Sequence, residues 1–142
     1  VKKKGTITLL NARSYKYATF VRRVARRMFD VFVIRFRPLY FSIEDFPGMQ
    51  RGTIVEAIMS PRGELIRLVT LQPSQSEKFD RLTREVVRSE AWDHNPPKDA
   101  KCPDGFIHFI FYPRVIPLQS GRGEAPYTEF MIYAVAGLRD CE

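Results

Sequence analysis

Much of what usually announces a function is missing from this sequence. No apolar run approaches the ~18 residues of a membrane-spanning helix. V-K-K-K-G at the start is followed by no apolar stretch of the kind a secretion signal carries. There are two cysteines and two histidines, without CxxC or HxxxH spacing, so no pattern offers a metal site. The phosphate- and dinucleotide-binding glycine patterns are absent, and so is the nucleophile pattern GxSxG. G-R-G at 121–123 reads as loop. A cysteine nucleophile requires a placed histidine, and nothing indicates one. The carboxylates are scattered among polar positions, many near Lys or Arg, as on solvated faces. These absences argue against an enzyme, a bound metal or a cofactor, and leave a binding module.

What remains is an ordinary globular composition. At 142 residues the chain reads as one domain, 1–142, large enough for a sizeable core. Hydrophobic residues make up 44% and charged ones 27%, both globular values. The net charge of +7 favours acidic surfaces, nucleic acid or anionic lipid as neighbours and names none of them. The chain reads as a soluble piece of a longer protein whose anchor lies upstream, with Lys2 to Lys4 as the end of a solvated linker.

The clearest organisation lies between Gly52 and Pro113. Two apolar runs flank S-P-R-G, with Pro61 and Gly63 at the second and fourth turn positions, which predicts a β-hairpin closed by a type I turn. Ser74 is expected to start a helix with Glu77 as its capping-box partner. Phe79, Leu82, Val86 and Val87 then form one apolar stripe. The aromatic, β-branched run 106–112 predicts a third strand. A right-handed crossover lays it beside the first, antiparallel to it. Val55, Ala57, Leu65, Val69, Phe79, Leu82 and Val86 are the expected core.

Upstream, Thr6 to Leu10 alternates weakly, as in a short edge strand. A helix is predicted over about 15–32, with Tyr17, Phe20, Val21, Val24, Ala25, Met28 and Phe29 inward. Arg22, Arg23, Arg26 and Arg27 lie opposite and are expected to be a solvated face. Their like-charged i,i+4 pairs cost roughly 0.2–0.5 kcal/mol each, which invites an acidic segment, another protein or phosphate. V-I-R-F-R from Val33 fits a strand or a helix extended to Pro38. The segment 39–48 reads as an ordered loop with a turn at Pro47–Gly48. W-D-H-N-P-P-K-D-A and Q-S-G-R-G-E-A-P read as loops, with Trp92 over the helix end or, alternatively, an exposed anchor. A fourth strand is expected within 127–138, antiparallel to the third. Cys102 precedes the third strand and Cys141 follows the fourth, so pairing of these strands brings both to one end of the sheet. The readings are a disulfide, implying an oxidising compartment, or two free thiols. The expected fold is α+β: an antiparallel sheet of three to four strands with two helices packed on one face. Its parts are a core at 52–115, a helix region at 12–36 and an extra strand at 127–138.

This order of parts resembles the C-terminal domain of TonB and TolA energy-transducing proteins. The matching positions are Gly52 opening a strand, Gly63 ending the turn, Ser74 to Ser76, the pair Phe79 and Asp80, Val86, Trp92 with Pro96 and Pro97, and the strand through Phe111. L-N-A-R-S-Y-K-Y is similar to the start of the preceding helix in some members. The resemblance implies a periplasmic domain of an inner-membrane-anchored protein. Such a domain pairs a peptide of an outer-membrane transporter or another envelope protein with its last core strand. It passes on force from an inner-membrane motor driven by proton flow. Carried over, the binding strand is Phe106, Ile107, His108, Phe109, Ile110, Phe111 and Tyr112. The further strand departs from the family, since it can occupy the edge the family leaves open. A partner peptide is therefore expected on whichever of the two strands is outermost, with Phe109, Phe111, Phe130 or Tyr133 lining its pockets. The alternative is a nucleic-acid-binding αβ module. Gly105, Phe106 and Phe111 fit an RNA-recognition strand, while Asp104, Ile107 and His108 do not.

Overall fold

A computed structural model describes residues 5–118 and 129–141. The order of strands and helices is β1 (Gly5–Leu9), α1 (Ala12–Lys16), α2 (Ala18–Phe36), α3 (Phe46–Arg51), β2 (Ile54–Met59), β3 (Leu65–Gln72), α4 (Glu77–Glu90), β4 (Ile107–Leu118) and β5 (Glu129–Leu138). The α+β class is as expected, but the sheet is larger and mixed. Five strands run in the order β1-β5-β4-β2-β3, and β1 lies parallel to β5 while every other pair is antiparallel.

Local chemistry accounts for most of these boundaries. Gly63, at φ +90°, donates its N–H to the Ser60 carbonyl and closes the β2–β3 turn at 2.9 Å. A side chain there would meet the Asp93 carbonyl oxygen, which docks against the turn, so glycine serves both the backbone angle and the close approach. The cap of α4 is Ser76 rather than Ser74: its Oγ accepts the Phe79 N–H at 3.3 Å. Ser74 is diverted because its N–H donates to the buried Asp80 carboxylate at 2.9 Å, and Glu77 is simply the first helical residue. The first helix is interrupted at Tyr17, and its second part runs through V-I-R-F-R to Phe36 instead of turning into a strand. Phe32 and Phe36, one turn apart, are both buried, and that packing extends the helix. Pro47 and Gly48 form no turn. They begin α3, where a proline in the first turn forfeits no intrahelical hydrogen bond.

The helices cover one face of the sheet. Val55, Ala57 and Met59 of β2, and Ile107, Phe109 and Phe111 of β4, join α2 and α4 in the core. Phe32 centres this layer, edge-on to Phe79 at 5.7 Å and to Phe111 at 6.0 Å. Leu82 and Val86 are buried as expected, whereas Leu65 and Val69 are only half-buried. Val69 pairs with Glu56 and so lies on the other face. β4 does not stop at Pro113; it continues to Leu118, pairing along β5. Lys2 to Lys4, the 119–126 loop and the first two residues of the expected fourth strand lie outside the described residues.

Candidate partner-binding edge

The strand expected to take a partner peptide is interior. Ile107, His108, Phe109, Ile110, Phe111 and Tyr112 belong to β4, which has β2 on one side and β5 on the other, and Phe106 immediately precedes it. With a strand on each side, this run is not an outer edge of the sheet. Phe109 and Phe111 are 1% and 0% exposed beneath the helices, so they line no pocket for a peptide and offer no stacking surface for bases. Tyr133 lies on the part of β5 that β1 covers, from Gly5↔Ile132 to Leu9↔Ala136, whereas Phe130 precedes that part and lines a cleft with Phe36, Phe41 and Phe46. The physical reason is non-local: β1 reaches β5 across more than a hundred residues, and no sequence period records that contact.

The outermost strands are β1 and β3, and they differ in how open they are. Edge strands are commonly blunted by charge, proline or bulges. β3 carries Arg67 and has two irregularities in its pairing with β2, at Ile54/Val55 and Ile58/Met59. β1 reads G-T-I-T-L, with no charge and no proline, and pairs with β5 without a register shift.

Beside the sheet, α2 is less simply solvated than expected. Arg23 grips Asp93 with two hydrogen bonds, 2.8 and 2.9 Å. Burial pushes the Asp93 carboxyl up, but the bonds from Arg23 and the Asn95 N–H, with the charges of Arg23 and Arg27, outweigh it and leave it lowered. Arg27 lies 3.4 Å from Glu90 and stacks on Trp92, 3.7 Å from the ring centroid. Trp92, just past the end of α4, thus lies against Arg27 of α2 and beside His94 with one part exposed, and an acidic segment of the same chain partners half of the arginine face. A cleft of about 760 Å³ lies beside this corner, lined in part by Thr19, His94 and Lys98. Arg22 and Arg26 are exposed and form no ion pair within the described residues.

Two ionisable residues missed as buried sit on the sheet's other face. Glu56 and His108 occupy diagonal positions on β2 and β4, and both are about 5–6% exposed. His108 Nδ1 is 2.7 Å from Glu56 and Nε2 is 2.7 Å from Asp104. Arg139 joins the group, with Nε 2.9 Å from Glu56 and Nη2 3.2 Å from His108 Nδ1. The Asp104 carboxyl is lowered, first by the Phe106 N–H it accepts and then by His108. Glu56 is the one charged side chain of β2, and His108 the one ionisable side chain in the apolar first half of β4, a signal that points to a buried pair. Cys102 and Cys141 are bridged, with Cα atoms 5.4 Å apart. The bridge stands two residues from Asp104 and two from Arg139, so it pins both outer members of the cluster. These groups hold one another as a structural cluster, in which the buried Arg139 Nε is close to Glu56 without an aligned hydrogen bond. Among the described residues no group of His, Cys, Asp and Glu is arranged to hold a metal ion, and no helix is long and apolar enough to cross a membrane. Comparison with known protein families, with curated proteins and with solved structures found no match for this chain.

Proposed function

We propose that this chain is a periplasmic interaction domain of an energy-transducing protein, one that binds an outer-membrane or envelope partner by strand addition. It passes on force from a proton-driven inner-membrane motor to which an upstream anchor connects it. The observation that carries the reading is the open, uncharged edge of β1, at the end of a sheet whose β2-β3-α4-β4 core follows the TonB/TolA order. Strand addition draws affinity from main-chain hydrogen bonds and specificity from alternate side chains. The Cys102–Cys141 bridge supports an oxidising compartment. A rigid five-stranded sheet on a single helical layer suits a domain that carries load, because force on an added strand is shared along a ladder of backbone bonds.

The test is a panel of peptides cut from the periplasm-facing segments of outer-membrane transporters, titrated against the full chain by calorimetry. Each binder is remade with N-methyl groups at alternate residues, in both phases. Strand addition requires that one phase abolish binding while the other spares it, since only one phase presents its N–H groups to the sheet. Binding unaffected by either phase contradicts the mechanism.

A further inference from the structure

We infer that the partner peptide docks in the groove between the free edge of β1 and helix α2, and that this groove selects an acidic side chain and an apolar one four residues apart. The inference rests on the strand-addition reading above and names the edge and the partner's chemistry. The Leu10 N–H donates to the Ala136 carbonyl at 3.0 Å. Backbone groups alternate along a strand, so those of Thr6 and Thr8 face β5 and those of Ile7 and Leu9 face away from it. No strand lies on that outer side among the described residues. An extended peptide placed there directs every second side chain toward α2.

What α2 presents along this line changes from one end to the other. Beside Ile7 to Leu9, a cleft of about 290 Å³ is bordered by Tyr15, Arg22 and Arg26. Beside Gly5, a second cleft of about 430 Å³ is bordered by Phe29, Val33 and Ile34, with Asp30 at its rim. Ile34 is 66% exposed and Tyr15 57%, so both clefts offer apolar surface to solvent. Arg22 and Arg26 stand one turn apart and repel each other, while Arg23 and Arg27 on the next face have Asp93 and Glu90. A carboxylate between Arg22 and Arg26 supplies the counter-charge that the described residues do not. The centres of the two clefts are about 11 Å apart along α2, closest to the ~13 Å between positions i and i+4 of a strand. The occupant is thus an extended segment of a partner protein with Asp or Glu at one position and Ile, Leu or Val four residues away.

The probes are the blocked peptide acetyl-Thr-Glu-Thr-Val-Thr-Ile-Thr-amide, its reversed sequence, versions with Lys in place of Glu, and versions N-methylated at alternate residues in either phase. Binding is followed by amide shifts of the full chain at millimolar peptide. The expected result is saturable change at β1 and α2, with a Glu peptide binding about tenfold or more tighter than its Lys counterpart. That preference should vanish in the double variant Arg22→Gln/Arg26→Gln and fade at high salt. Equal affinity of Glu and Lys peptides at β1 overturns the acidic selectivity and leaves strand addition standing. N-methyl-sensitive binding that maps to β3 overturns the choice of edge alone. Absence of any N-methyl-sensitive binding overturns the groove and the strand-addition reading together.

Discussion

Asp93 shows how a residue in a polar loop can be decisive. Its position in W-D-H-N-P-P gives no hint of burial, yet it is 5% exposed, paired to Arg23 and bonded to the Asn95 N–H. Because its folded pKa lies below the unfolded value, it contributes stability above about pH 4 and loses it as pH falls through the lowered value. Asp93→Asn should cost about 1–3 kcal/mol at pH 7, in the range of hydrogen bonds to charged groups. Denaturant melts of the variant should also lose part of the parent's expected decline in stability as pH falls below about 4. An unchanged acid-side slope contradicts the pairing. Legibility at this scale was uneven. The apolar stripe of α4 and the turn glycine follow from period and backbone angle. The partners of Arg23, Arg27, Glu56 and His108 come from other elements, and spacing along one element cannot report them.

Among elements, errors cluster where two local signals compete. Ser74 and Ser76 both suit a helix cap, and the tertiary bond to Asp80 decides between them. Pro47–Gly48 suits a turn and a first helical turn alike. The β4–β5 pairing was readable because both strands are apolar and long, and it carried the cysteine placement with it. The bridge closes a loop of 39 residues, for which the chain-entropy account gives roughly 3–4 kcal/mol. Cys102→Ser/Cys141→Ser should lose about that much in urea melts. It should also free Asp104 and Arg139, so amide protection around His108 and Glu56 should fall more than in the α2–α4 layer. A uniform loss of protection across the molecule would show that the bridge does not specifically hold the charged cluster.

At the scale of the whole molecule, the α+β class, the β2-β3-α4-β4 order and a short edge strand near 6–10 were legible, and the parallel place of that strand outside β5 was not. A five-residue strand without charge carries little sequence signal, and its parallel seat beside β5 lies under α2, with Gly5 against Phe29. That single addition moves the open edge from the aromatic strands to β1 and with it the candidate site. The most direct measurement is hydrogen exchange of the backbone amides in the full chain, free and saturated with a peptide that binds. Strand addition at β1 requires that the Ile7 and Leu9 amides, whose N–H groups face outward, gain protection while those of β3 are unchanged. Gain confined to β3, or to neither edge strand while the peptide stays bound, contradicts it.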